Sequence, residues 1–276
     1  MLVHQTIEKL VVMKLQGMAD ALSKQQGAPE LAQLTFDDRF GLLVDAEYTA
    51  RENDSLKARL KQASLRQTAC FEDIDLQQGL DRTTLTLLAQ CSWIQEGINI
   101  LIDGKTGVGK SYLATALTHK ACRCGFTALY FRAPRLFQEL AVSRLSNRYA
   151  RFLKKLAKVD VLVLDDFALA PISDEQSRDL LEVVDDRVGK RPLIIVSQLP
   201  PGQWHGAIPS ATIADAIIDR IIHGAHKLHL EGDTRRKNKR KKDHETSFDA
   251  DLTIDSDSDH TYSNSIQTGG RTKPKR

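Results

Sequence analysis

The chain has 276 residues, with 39 Lys and Arg against 36 Asp and Glu and 41% hydrophobic content. At roughly 100–200 residues per domain, that allows one large domain or one plus a small accessory. Its longest apolar runs, such as Val161–Leu164 and Leu193–Val196, fall far short of the roughly 18 residues a membrane-spanning helix needs, which argues against a membrane protein. The N-terminus shows neither a basic leader region nor a small-residue cleavage site, so no signal peptide is expected. Four cysteines are too few for a disulfide scaffold, and Cys122 and Cys124 have no second pair to complete a metal site. Idle thiols in a cytoplasmic protein are expected.

In chain order, Ile7, Leu10, Val11, Leu15, Met18 and Leu22 recur at helical steps and predict one amphipathic helix, closed by Gly27-Ala28-Pro29. Thr35 with Asp38 opens the next helix through Phe40, Leu43 and Glu47, and Leu56 and Leu60 continue its period among basic residues. Residues 1–65 therefore read as a small all-helical N-terminal module suited to contacting a partner or nucleic acid.

From about residue 98 the pattern changes. Ile98–Ile102, Ala128–Phe131, Val159–Leu164 and Leu193–Val196 are predicted strands, with helices at Lys110–Cys124, Pro134–Ala157 and Ser173–Val188 between them. Gly125 and Gly189 stand at helix C-termini, and Ser173 with Gln176 forms a capping box. A further helix over Ile213–Ile222 opens at Thr212 with Asp215. Strands alternating with helices predict an α/β fold, a largely parallel sheet covered by helices on both faces. This second domain is assigned to residues 66–242. Seven of the eight residues in 235–242 are Lys or Arg, and residues 243–259 then hold seven Asp or Glu and no cation. Such charge blocks cannot repay the entropy of ordering, so a disordered tail is expected over 243–276.

The chemistry sits at the first strand. Gly104-Lys105-Thr106-Gly107-Val108-Gly109-Lys110-Ser111, followed by Tyr112, fits the phosphate-binding loop G-x-x-x-x-G-K-[ST] between a strand and a helix. Glycines let backbone N–H groups curl around phosphate oxygens, and the helix N-terminus adds positive potential. Lys110 would reach the β- and γ-phosphates of ATP, and the Ser111 hydroxyl would ligate Mg²⁺. About 55 residues on, Val161–Leu164 ends in Asp165-Asp166. Carboxylates at that strand edge suit a metal ligand (Asp165) and a water-polarising base (Asp166). The next strand ends in Ser197-Gln198, polar groups able to sense a γ-phosphate by hydrogen bonding. Arg220 lies on an otherwise apolar helix. It either pairs with Asp215 or Asp219, or serves as an arginine finger for a neighbouring subunit.

Together the phosphate loop, the hydrophobic Asp-Asp strand, Ser197-Gln198 and Asp219-Arg220 resemble the DnaC/IstB branch of AAA+ ATPases. The likeness covers about residues 1–237 and is closer to IstB-type helpers of insertion-sequence transposition than to helicase loaders. It extends to Tyr130–Leu136, to Ser197–Pro200 with Trp204, and to Ala214–His229. The resemblance implies a DNA-stimulated ATPase that oligomerises on duplex DNA and directs a partner transposase, with a DnaC-like helicase loader as the alternative. It places Arg220 at the finger position and a second sensor arginine at Arg236, with Arg235 adjacent. Lys105 departs from the usual proline of that branch. Arg132, Arg135, Arg144, Arg148, Arg151, Lys154 and Lys155 form a basic stripe able to track DNA phosphates without reading sequence. Arg132, Arg135, Lys154 and Lys155 are its candidate DNA-binding residues.

Overall fold

A computed structural model describes residues 2–28, 31, 33–74 and 79–232. The expectation of a charged, disordered tail lies outside the described residues, as does the basic run at 235–242. Among the described residues no helix is long and apolar enough to cross a membrane.

The first helix differs from expectation. It divides into α1 (Leu2–Val12) and α2 (Gln16–Gln26). Lys14 takes a left-handed conformation with φ 60°, and the Leu15 N–H donates to the Leu10 carbonyl at 2.8 Å. Leu10 and Leu15 keep nearly helical spacing through this turn, so periodicity alone concealed it. The following helix, α3 (Phe36–Ala63), is capped as expected: the Thr35 hydroxyl accepts from the Asp38 N–H at 3.2 Å. Its N-terminal half packs on α2. There the Glu47 carboxylate accepts from the Met18 N–H at 3.2 Å and from Arg51 Nε at 2.7 Å. Its C-terminal half belongs to the next core, because Ala63 is buried there and Leu56 and Leu60 pack against it. A short α4 (Arg82–Ala89), capped by Asp81, and α5 (Ser92–Gln95) follow. Neither was anticipated.

Five strands form one parallel sheet: β1 (Ile100–Gly104), β2 (Ala128–Arg132), β3 (Val161–Phe167), β4 (Leu193–Ser197) and β5 (His226–Leu230). Their order is β2-β3-β4-β1-β5. The connecting helices are α6 (Lys110–Arg123), α7 (Ala133–Leu145), α8 (Tyr149–Lys158), α9 (Asp174–Asp185) and α10 (Ala211–Ile222). Side chains alternate across the pleat, so each strand serves two cores. Ile100, Ile102, Tyr130, Val163 and Ile194 join α4, α5 and α6 on one face. Leu101, Leu129, Leu162, Leu164 and Ile195 join α7 to α10 on the other. This is the doubly covered parallel sheet the sequence predicts.

Three details differ. The long helix expected over Pro134–Ala157 breaks into α7 and α8 at Asn147, which adopts φ 53°. The cap of α10 is Ser210, whose hydroxyl accepts from the Ile213 N–H, rather than Thr212. The edge strand β5 escaped prediction because its residues alternate between core and solvent and include two histidines. Arg187, just beyond α9, is fully buried. Its guanidinium donates to the carbonyls of Leu156, Val159, Asp160 and Pro192, tying the end of α8 to the entries of β3 and β4.

Candidate functional site

The phosphate loop leaves β1 at Gly104 and enters α6 at Lys110. Gly104 has φ 134°, and a Cβ there would lie 2.2 Å from the Leu230 carbonyl oxygen, so only glycine lets β1 approach β5 this closely. Within the loop Gly107 and Gly109 also have positive φ, and Val108 is buried as an anchor. Lys105 and Thr106 are exposed, and Tyr112 is half-buried in the first turn of α6. Lys110 is buried, its ammonium donating to the carbonyls of Gly104 at 2.6 Å and Lys105 at 2.8 Å. The cation is thus held under the loop.

Parallel pairing brings the end of β3 beside the loop. The Ser111 hydroxyl donates to Asp165 Oδ1 at 3.2 Å, although 54 residues separate them. Asp165 is buried, and its other oxygen accepts from the Tyr130 hydroxyl at 2.7 Å. Burial, reinforced by that carboxylate, raises the Tyr130 phenol above its ordinary range. A hydroxyl and a carboxylate side by side are hard oxygen donors of the kind Mg²⁺ takes, with phosphates and waters completing its shell. The donor set therefore fits Mg²⁺. Among the described residues no group of three or more His, Cys, Asp or Glu side chains is placed to hold a metal ion.

Asp166 is placed differently. It sits at φ 56°, uncommon for a residue with a Cβ, with its N–H donating to Asp165 Oδ1 at 2.8 Å. Its carboxylate accepts from Arg132 Nε at 2.5 Å. Arg132, expected to face DNA, is thus engaged by the candidate base.

The two polar residues at the end of β4, Ser197 and Gln198, separate. The Ser197 hydroxyl is buried, donates to the Phe167 carbonyl at 2.9 Å and accepts from Trp204 Nε1 and the Leu199 N–H. It braces the strand ends. Gln198 is exposed and accepts from the Thr106 hydroxyl at 2.8 Å, which places it against the phosphate loop. Arg220 pairs with neither Asp215 nor Asp219. Its partner is Asp185 at the end of α9, because α9 and α10 pack together on one face of the sheet. Asp215 lies instead 3.5 Å from His205. Arg236 lies outside the described residues.

The basic stripe also divides. Arg135 pairs with Glu139 at 3.3 Å, and Arg144 is held by Asp179 while stacking on the Tyr149 ring 3.7 Å from its centroid. Lys154 and Lys155 line a groove of about 1420 Å³ together with Arg148, Arg151, Lys158 and Arg191. Thr127 and Val159, which precede β2 and β3, also line it. The groove therefore opens at the end of the strands opposite the phosphate loop. Arg191 was missed by sequence reading; it follows α9, and no local pattern links it to α8.

A parallel sheet of this order, with a phosphate loop at β1 and carboxylates at the end of β3, defines a P-loop NTPase of the AAA+ type. Comparison with known proteins narrows the class. The IstB-like ATP binding protein family matches residues 8–243, and the chain belongs to that family. The insertion-sequence ATP-binding protein y4pL of Sinorhizobium fredii is 46% identical over 244 residues, covering 88% of this chain and all of the relative. The corresponding protein of insertion sequence IS1162 from Pseudomonas fluorescens is 45% identical, covering 72% of this chain and 88% of the relative. Among solved structures, DnaI superposes with a TM-score of 0.52 at 26% identity, covering 62% of this chain and 92% of that one. The DnaC helicase loader shares the fold, with a TM-score of 0.51 at 18% identity, over 59% of this chain and 97% of its own.

Proposed function

We propose that the protein is a cytoplasmic Mg²⁺-dependent ATPase that oligomerises on duplex DNA and directs the transposase of its insertion sequence. The observation that carries the reading is the Ser111–Asp165 contact at the phosphate loop, a pair of hard oxygen donors suited to a nucleotide's Mg²⁺. Ser111 and Asp165 would hold Mg²⁺, which when bound would supply charge neutralisation to the phosphates. Residues Gly104 to Tyr112 bind and orient the nucleotide, and the buried Lys110 ammonium supplies positive charge to it. Asp166 orients the attacking water and accepts its proton, Gln198 reports the γ-phosphate to β4, and Ser197 holds that strand end in register. Arg220 reaches the site of a neighbouring subunit, and Arg236 acts as the second sensor.

The groove supports the DNA assignment. Its cations come from α8 and from the segment after α9, and they meet phosphates without reaching bases. Lys154 and Lys155 carry this contact, whereas Arg132, held by Asp166 at the phosphate-loop end of the sheet, and Arg135, paired with Glu139, are not among the groove's lining residues. Relatives named for insertion sequences favour a transposase as partner, while the likeness to DnaI keeps helicase loading as the second reading. One experiment tests the proposal: ATP turnover with and without duplex DNA, for the natural chain, Lys110→Ala and a Lys154→Glu/Lys155→Glu/Arg191→Glu triple variant. The natural chain should be DNA-stimulated, Lys110→Ala should not bind ATP, and the triple variant should keep basal turnover but lose stimulation. Full stimulation of the triple variant would remove the groove from the mechanism. Wild-type ATP affinity in Lys110→Ala would remove the site itself.

A further inference from the structure

We propose that Asp185 is a latch that keeps Arg220 on its own subunit until a neighbouring nucleotide site draws the guanidinium away. The proposal rests on the reading of Arg220 as a finger acting across a subunit interface. Arg220 stands in the last turn of α10 and Asp185 at the last position of α9. Arg220 Nε meets Asp185 Oδ1, while Nη1 turns back along its own helix to the Ala216 carbonyl at 2.9 Å. Both engagements lie within one chain. A guanidinium so placed must leave them to serve another subunit.

Two further observations make this a matter of side-chain movement. The backbone is fixed: Asn99 Nδ2 donates to the carbonyls of Arg220 and Ile221 at 3.3 and 3.0 Å, and Asn99 Oδ1 accepts from the Leu193 N–H at 2.8 Å. The end of α10 is thereby tied to the starts of β1 and β4, and a swing of Arg220 needs no shift of the helix. The ion pair, by contrast, is open to water, with side-chain exposures of 37% for Arg220 and 46% for Asp185. A half-exposed pair of this kind is weak. A triphosphate offers several negative charges and paired acceptor oxygens that suit the planar fork of a guanidinium, and competes well for an arginine held by one carboxylate. Arg187 on the same face shows the opposite design, fully buried against four carbonyls.

The latch opposes assembly of the active interface by the strength of one surface ion pair, up to about fivefold in apparent affinity. Asp185→Asn keeps the shape and removes the charge. DNA-stimulated turnover should be measured against protein concentration for the natural chain, Asp185→Asn, Asp185→Glu and Arg220→Ala. Asp185→Asn should reach half-maximal turnover at a concentration lower by up to about fivefold, with saturating turnover unchanged, and Asp185→Glu should restore the natural curve. A fall in saturating turnover towards that of Arg220→Ala would show Asp185 supporting the working position of Arg220, and would overturn the latch. An unchanged curve with a lowered melting temperature would reduce the pair to a brace between helices and overturn it as well. Wild-type turnover in Arg220→Ala would instead remove the finger reading on which the proposal stands.

Discussion

Replacing Gly104 by alanine should separate the edge strand from the sheet without removing any charged group. Real Cβ atoms essentially never come within 3.0 Å of another heavy atom, and the new one would begin 2.2 Å from the Leu230 carbonyl, so β5 must retreat by at least 0.8 Å. Three costs add. Holding alanine at φ 134° costs about 1–2 kcal/mol. Loss of the Gly104–Leu230 end of the ladder costs about 1 kcal/mol. Partial withdrawal of the fully buried Leu230 side chain costs a further 1–2 kcal/mol or so. A total of about 3–5 kcal/mol should lower the melting temperature by roughly 10 °C for a domain of this size. Gly125→Ala is the internal control. It has φ 93° and nothing within 4 Å of the added carbon, so only backbone strain of about 1–2 kcal/mol applies. Thermal unfolding of both variants, followed by circular dichroism, measures the difference directly. Equal losses would refute the argument, because the clash with Leu230 would then contribute nothing.

Arg187→Met keeps the aliphatic stem but removes the donors to four carbonyls. Burial already pushes this guanidinium down to about 9, so the loss is partly offset, and a destabilisation of about 3–5 kcal/mol is expected in urea unfolding. A change below about 1 kcal/mol would show that water takes over the carbonyls. Glu47 gives a pH-dependent outcome. The Arg51 hydrogen bond, with the Met18 N–H, holds its carboxyl below the ordinary 4.5. Its contribution is therefore present above 4.5 and lost as pH falls through the lowered value. Protection of the Met18 amide, its exchange rate relative to that of an unstructured amide at the same pH, should fall on acidification in the natural chain, and Glu47→Gln should abolish that change in protection.

What the sequence made legible was local. The phosphate loop declares itself by glycine spacing, and the strand ending in Asp165-Asp166 by an apolar run that stops at charge. The caps at Thr35 and Ser173 are patterns of three-residue spacing: Ser173 forms the full capping box with Gln176, while Thr35 caps its helix through the hydroxyl alone. What escaped depends on contacts remote in sequence or on conformations without a signal. Lys14 and Asn147 turn the chain with left-handed φ but are neither glycine nor proline. Half of β5 faces water, so it lacks the unbroken apolar run that marks a buried parallel strand. The engagement of the Ser197 hydroxyl requires Trp204 and Phe167 to be in place. The partner of Arg220 is fixed by how α9 meets α10, which helical periodicity does not report.

The length of α3 has a consequence for engineering. Its 28 residues make a rod of about 42 Å, clasped by α2 at one end and embedded beside the sheet at the other. The helix is unbroken between the two grips, and its second half meets the core through Leu56 and Leu60 and the rear of the phosphate-loop helix through the Arg59 contact with the Cys122 carbonyl at 2.9 Å. A chimaera that exchanges residues 1–65 with those of a relative would replace not only the N-terminal helices but part of the packing behind the phosphate-loop helix. Grafts cut within the helix, near Ser55, would leave that packing native while changing the N-terminal helices.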